Sequence, residues 1–287
     1  MTRRPVLAAL VASVLLSSPL SAQRFSSGAV AVRVDVLVTS GGKPLAGLSA
    51  RDFELRDNGV LQTLEVVDGA DVPINAVLAL DTSLSTTGKR QSDLNRAAEA
   101  LLARLRPSDR AALSTFNHAA VPMVALTSDL GSIRASLGRI TPSGETSVMD
   151  GAYVAITATL GQSGRSLVLV CTDGFDTWSW LRPDDVLEAA RRASVVIYGV
   201  TSSDARRDAG LKVITDATGG HILQVKSGDE LTAAFQKIVE DFRNRYILAF
   251  SPSGVSPEGF HTLDVRVKRP GASVKARPGY TGIAQHR

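Results

Sequence analysis

Residues 74–94 read INAVLALDTSLSTTGKRQSDL. The apolar run 74–80 has the length and composition of a strand buried on both faces, and it halts at a carboxylate, Asp81. Two hydroxyls, Ser83 and Ser85, follow before a helical pattern begins. In that pattern Leu94, Ala97, Ala98, Leu101, Leu102 and Leu105 keep the i, i+3, i+4, i+7 spacing, and the stretch stops before Pro107. A core strand, a polar loop and a covering helix in this order make one unit of an α/β domain.

The same unit recurs downstream. Strand-like runs at 111–116, 167–170, 195–200 and 221–225 alternate with helical patterns. One helix opens at Pro183, with Asp184 and Asp185 in its first turn and Arg191 and Arg192 in its last, matching the helix dipole at both ends. Another carries Leu211 and Ile214 and ends at Gly219-Gly220. Leu231, Ala234, Phe235, Ile238 and Phe242 mark the last. The alternation predicts an α/β fold over residues 73–243, a doubly wound, mostly parallel sheet, with 121–126 as an antiparallel edge strand after a turn at Asn117 and His118.

Both flanks read as β structure. Valines 30, 32, 34, 36 and 38 alternate with other residues, a second strand lies around Phe53 and Leu55, and the hairpin signal Asn58-Gly59 leads to a third over 61–67. After Arg245, strand patterns return at 246–250, at 263–267 and around Val274. The segments 23–72 and 244–287 are each too short to bury much surface alone. Pairing them into one small β domain, with the α/β domain inserted between, leaves the fewest open edges.

Arg3 and Arg4, the apolar run 6–16 and the small residues 17–22 read as a signal peptide over residues 1–22. About 11 apolar residues fall short of the roughly 20 that span a bilayer, so the expected location is secreted or periplasmic, with no membrane span after cleavage. Loss of Arg3 and Arg4 brings the formal charge of +4 to +2, a near balance that argues against nucleic acid as a partner. Lys268, Arg269, Lys275 and Arg277 read as a solvated face. Cys171 is the only cysteine, which excludes an intramolecular disulfide, and its apolar setting predicts a buried, inert thiol.

Ligands of open α/β sheets bind at the carboxyl ends of the strands. Asp81 stands at one such end, and Asp173, in LVLVCTDGFDT (167–177), at another. Thr146, in TPSGETSVMDG (141–151), precedes a helix with the apolar face Val148, Ala152, Ala155 and Ile156. Two carboxylates and three hydroxyls, with no histidine or thiolate, suit a hard divalent cation: Mg2+ above all, Mn2+ or Ca2+ as alternatives, zinc disfavoured. Taken singly, such Ser and Thr residues are also helix caps. A phosphate loop at Gly88-Lys89 fails, because Ser83 stands where its first glycine belongs and Arg90 where Ser or Thr belongs. A serine hydrolase lacks G-x-S-x-G, and none of His118, His221, His261 and His286 has a triad setting. A metal-assisted hydrolase and a metal-free scaffold stand as alternatives. Phe175, Trp178 and Trp180 follow Asp173 closely and read either as anchors for a protein partner or as loop packing. Asp176 either supports the site from behind or caps the approach to the Pro183 helix.

These elements resemble those of the von Willebrand factor A family. DTSLS (81–85) matches its D-x-S-x-S, SGETSVMDGAYVA (143–155) its G-x-T before a helix, LVCTDGFDT (169–177) its strand-end T-D-G, and ITDATGGHIL (214–223) its late helix-turn-strand. The resemblance implies a metal-ion-dependent adhesion site, with Ser83 and Ser85 binding the ion directly, Thr146 directly or through water, and Asp81 and Asp173 mainly through water. It further implies a non-enzymatic protein-binding module for adhesion or complex assembly. A cation held by neutral hydroxyls keeps much of its charge and seeks an anionic oxygen, which a partner's Asp or Glu supplies. The flanks LSARDFELRDNGVLQTL (48–64) and YILAFSPSG (246–254) resemble those of a bacterial, secreted subgroup of von Willebrand A-related proteins.

Overall fold

In the computed structural model, which describes residues 31–202 and 209–282, the chain enters through five short strands: β1 (Val32–Ser40), β2 (Lys43–Pro44), β3 (Phe53–Asp57), β4 (Val60–Leu61) and β5 (Glu65–Asp68). Strands and helices then alternate: β6 (Ile74–Asp81), α1 (Lys89–Leu102), β7 (Arg110–Phe116), β8 (Ala120–Thr127), α2 (Leu130–Leu137), α3 (Val148–Thr157), β9 (Arg165–Thr172), α4 (Pro183–Ala193), β10 (Val196–Thr201), α5 (Ala209–Ala217), β11 (Ile222–Gln224) and α6 (Gly228–Arg243). Four strands close the described chain: β12 (Tyr246–Phe250), β13 (Gly259–Val267), β14 (Ala272–Lys275) and β15 (Gly279–Gly282).

The middle elements form one six-stranded sheet in the order β11-β10-β9-β6-β7-β8. It is mixed: β8 runs antiparallel to β7 at the edge, while the others run parallel. Every residue of β6 is buried, because helices cover both faces. Ile74, Ala76, Leu78 and Leu80 join the layer under α1, α2 and α6, and Val77 and Ala79 join the layer under α3, α4 and α5. This split follows the two-residue period of a strand, and each fully buried Leu contributes about 1.5–3 kcal/mol. The strand order reverses between β6 and β9, which puts the crevice for ligands at their carboxyl ends.

The strands of the two flanks pair with one another. β1 lies between β12 and β14, with Val32 opposite Phe250 and Val38 opposite Val274, and β3 pairs with β13, with Phe53 opposite Val267. Two sheets, β14-β1-β12-β5 with β2 beside β1, and β15-β13-β3-β4, enclose a core of Val32, Val34, Val36, Val38, Leu55, Leu248 and neighbours. Asn58 (φ 45°) and Gly59 (φ 83°) form the expected two-residue hairpin turn.

The strand expected over 61–67 is two strands in different sheets. β4 pairs with β3, and β5 pairs with β12. Between them the buried Gln62 side chain bonds the Ser253 backbone at both its N–H and its C=O, 3.0 Å each, which anchors the crossover. The solvated basic face is also corrected in part, since Arg269 pairs with Asp52 at 2.9 Å and Arg277 donates to the Arg33 carbonyl at 2.6 Å. His261, which lacks any triad setting in the sequence, is buried against Asp57 (2.8 Å) with the Tyr280 hydroxyl donating to the same carboxylate (2.7 Å). That group fastens β3 to β13 and β15. The segment read as a signal peptide and His286 lie outside the described residues.

The chain passes between the flanking sheets and the α/β part at two points that touch. Gly69 donates its N–H to the Arg245 carbonyl at 3.2 Å, and a Cβ on Gly69 would fall 2.2 Å from that oxygen, so the close approach requires glycine. Arg165, at the first residue of β9, donates to Asp35 (2.6 and 2.8 Å), Gly69 O (2.9 Å) and Phe242 O (2.8 Å). Arg245, fully buried, donates to the Tyr198 hydroxyl, Asp35 O and Gly219 O.

Candidate metal centre

Register brings the first two site residues together. Leu80 of β6 lies opposite Cys171 of β9, so the next residues, Asp81 and Thr172, stand side by side where the two strands end. The Thr172 hydroxyl donates to Asp81 Oδ2 at 2.6 Å, and the Ser83 N–H donates to Oδ1 at 2.8 Å. Asp81 is 1% exposed. Burial pushes its carboxyl above the ordinary range, against the pull of the Ser83 and Thr172 hydrogen bonds, and the Asp173 charge adds to the rise. Burial likewise drives the Cys171 thiol upward, in keeping with an inert core cysteine.

From Asp81 the loop turns through a single 3-10 turn, Leu84–Thr86, which points Ser83 and Ser85 the same way. Their Oγ atoms are 3.0 Å apart, and Ser85 Oγ donates to Asp173 Oδ1 at 2.7 Å. The other Asp173 oxygen accepts from Arg90 Nη1 at 2.5 Å, and the same nitrogen reaches the Ser85 carbonyl at 3.1 Å.

The Thr146 loop is tied to the end of β6. Ser143 donates its N–H to Thr82 O (2.8 Å), and Leu84 its N–H to Gly144 O (3.0 Å). Gly144 has φ 71°, and a Cβ there would lie 2.2 Å from His118 Nδ1, so only glycine serves. Thr146 is buried, and a Cβ added to Gly174 would sit 3.5 Å from its Oγ1. Its hydroxyl therefore faces the residue next to Asp173. The adjoining Ser147 Oγ is buried without a hydrogen-bond partner among the described residues.

The aromatic loop is held by backbone contacts. Thr177 and Trp178 N–H groups donate to Thr146 O at 2.9 and 3.0 Å. Asp176 Oδ2 and Ser179 Oγ accept from the Met149 N–H at 3.1 and 3.0 Å. Asp176 thus caps α3, the helix that follows Thr146; the Pro183 helix is capped by Asp185, which accepts from the Arg182 N–H. Trp180 is 89% exposed and Trp178 54%. Phe175 and Leu84 are also exposed.

Of the five oxygen-bearing side chains read from the sequence, hydrogen bonds link Ser83, Ser85 and Asp173 in one chain, Asp81 joins through its strand neighbour and the Ser83 N–H, and Thr146 stands beside Gly174. Two contributors were missed. Thr172 lies within the T-D-G element and could have been found as the residue preceding its aspartate. Arg90 entered only as the residue that spoils a phosphate loop. Among the described residues no group of three or more His, Cys, Asp or Glu could hold a metal. Any ion here must draw on hydroxyls. The converging hydroxyl and carboxylate oxygens fit a hard divalent cation.

A family model described as the von Willebrand factor type A domain matches residues 75–237, a span that includes all five side chains. No curated protein matches the chain. Among solved structures, the conserved hypothetical protein BatB from Bacteroides thetaiotaomicron is 19% identical, with 59% of this chain and 98% of that one covered and a TM-score of 0.48. Proximal thread matrix protein 1 from the mussel byssus, with zinc occupied MIDAS motif, is 16% identical, with 66% and 50% covered and a TM-score of 0.56. A variant of the PilB minor pilin from Streptococcus sanguinis is 12% identical, with 74% and 78% covered and a TM-score of 0.50. At such identities the likeness of the latter two speaks for the fold alone. The family model, matched over more than half of the chain, goes further: the chain belongs to the von Willebrand factor type A domain family.

Proposed function

We propose that the protein is a non-enzymatic binding module, working outside the cytoplasm, that captures an acidic group of a partner protein through a divalent cation held by Ser83, Ser85, Thr146, Asp81 and Asp173. The observation that carries this reading is the continuous run of oxygens from Ser83 through Ser85 to Asp173 beside buried Asp81. The cation, when bound, supplies a positive centre that a partner's Asp or Glu completes. Thr172 and the Ser83 N–H orient the Asp81 carboxylate, Ser85 orients Asp173, and the Asp176 cap on α3 fixes the backbone that carries Thr146. Phe175, Trp178 and Trp180 offer apolar area beside the acid's landing point, as interface anchors do. Location outside the cytoplasm is supported by the charged start and short apolar run of residues 3–22.

The ion is Mg2+, Mn2+ or Ca2+ by its all-oxygen donors; the zinc in the mussel protein's MIDAS makes zinc a necessary arm of any titration. Calorimetric titration of the full chain with each metal tests the reading. At a hundredfold excess over Kd the metal should add about 2.7 kcal/mol of stability through linkage. Asp81→Ala and Ser85→Ala should each abolish that gain while remaining folded by circular dichroism. An identical metal response in wild type and both variants would refute the site. One observation favours a second reading, a metal-free scaffold: Arg90 already gives Asp173 a counter-charge. No heat with any of the four metals would select it.

A further inference from the structure

We propose that Arg90 is a built-in rival of the cation, so that loading the metal and releasing the Arg90 guanidinium from Asp173 are a single event. The inference rests on the cation-capture reading and concerns how that site is regulated. Both oxygens of Asp173 are taken, Oδ1 by the Ser85 hydroxyl and Oδ2 by Arg90 at 2.5 Å. The same guanidinium nitrogen bonds Ser85 O at 3.1 Å, so it ties together two residues that the metal would draw on. Asp173 has no other salt-bridge partner among the described residues. A divalent ion settling beside Asp173, directly or through water, would meet the Arg90 charge already held against that carboxylate, and like charges repel.

Displacement requires no repacking. The Arg90 side chain is 63% exposed while that of Asp173 is 13% exposed. Arg90 sits on the first turn of α1, at the wall of a cavity of about 380 Å3 that Asp81, Asp173, Leu94, Val200 and Leu231 also line. The released side chain has open space and solvent to enter. Asp93, the nearest acid on its own helix, is held by Lys89 (2.8 Å) and Arg96 (2.9 Å), so it does not draw Arg90 away from Asp173. The competition is therefore between one exposed arginine and the metal, and its size is that of an exposed ion pair: about two- to five-fold in metal affinity.

Metal binding by the full chain, its Arg90→Gln variant and an Arg96→Gln control would test this by calorimetry with Mg2+ and Mn2+. Arg96 lies on the same helix and carries the same charge but pairs with Asp93 and Asp229. Arg90→Gln should bind metal about two- to five-fold more tightly, and Arg96→Gln should stay near wild type. In parallel, the guanidinium signals of Arg90 in nitrogen-15 NMR, slowed by the ion pair, should collapse on adding Mg2+ with the calorimetric midpoint. Unchanged or weaker binding by Arg90→Gln, an equal gain in Arg96→Gln, or Arg90 signals indifferent to Mg2+ would overturn the rivalry while leaving the metal site intact. No binding by any of the three proteins would remove both the rivalry and the proposed function.

Discussion

The two poles of the central sheet spend charge in opposite ways. At the amino ends of the strands, Arg165, Arg243 and Arg245 are largely or wholly buried, and each meets carboxylates, carbonyls or a phenol. At the carboxyl ends, two carboxylates rest on neutral hydroxyls, one N–H and a single exposed arginine. Desolvated charges are costly unless paired and hydrogen-bonded. The saturated pole is therefore a fastening, and the pole left short of positive charge is the one proposed above to take a cation. The poles are about 23 Å apart along β9 by strand rise, so perturbing one should leave the other alone.

Arg165→Met should give the largest effect. It strips the donors from Gly69 O and Phe242 O and leaves Asp35 without its partner, costing about 3–5 kcal/mol in urea unfolding. Metal affinity should not move; a changed Kd would break the division between poles. Asp109, also at the amino pole, should show the next effect. Burial pushes its carboxyl up, but the hydrogen bond from Arg243 and the N–H groups of Arg106 and Ile74 outweigh that and hold it below its ordinary value. A carboxyl lowered on folding contributes stability above its unfolded value, near pH 4, and loses it as pH falls through the folded value. Asp109→Asn should thus cost about 3 kcal/mol at neutral pH, and the gap from wild type should narrow in the acid limb. A gap that persists unchanged to pH 3 would mean the pair adds nothing by charge. Trp180→Ala, on the exposed loop near the carboxyl pole, should shift stability by less than about 0.5 kcal/mol, measured by the same unfolding curves. A larger loss would show that the exposed ring is part of the fastening after all.

What the sequence discloses follows the range of the interaction. Asp81 and Asp173 are legible because a buried strand written in apolar residues ends abruptly, and that ending is local. Ser83 and Ser85 come with it. Thr146 enters by its place just before a helix and gains weight only from the resemblance to a G-x-T element, since nothing local separates it from a helix cap. Arg90 could not be read as a partner of Asp173, which lies 83 positions away; the contact exists only once β6 and β9 are neighbours. The pairing of His261 with Asp57, 204 positions apart, was hidden for the same reason. The break between β4 and β5 escaped because alternation reports a strand's two faces and is silent on which sheet it joins. The eight-residue α2 is too short for its period to stand out, although Ile133 and Leu137 bury its inner face as an i, i+4 pair.

The two crossings clasped at Gly69 and Arg245 also define how the molecule bears load. Every covalent path from the oxygen cluster to the flanking strands runs through that neck, because residues 70–244 connect to the rest only there. Tension applied between the carboxyl ends of β6 and β9 and the flanking sheets would pass through these two crossings, which the Gly69–Arg245 backbone hydrogen bond and the guanidiniums of Arg165 and Arg245 hold together. Under such a pull, the strength of that clasp would govern how the two parts come apart.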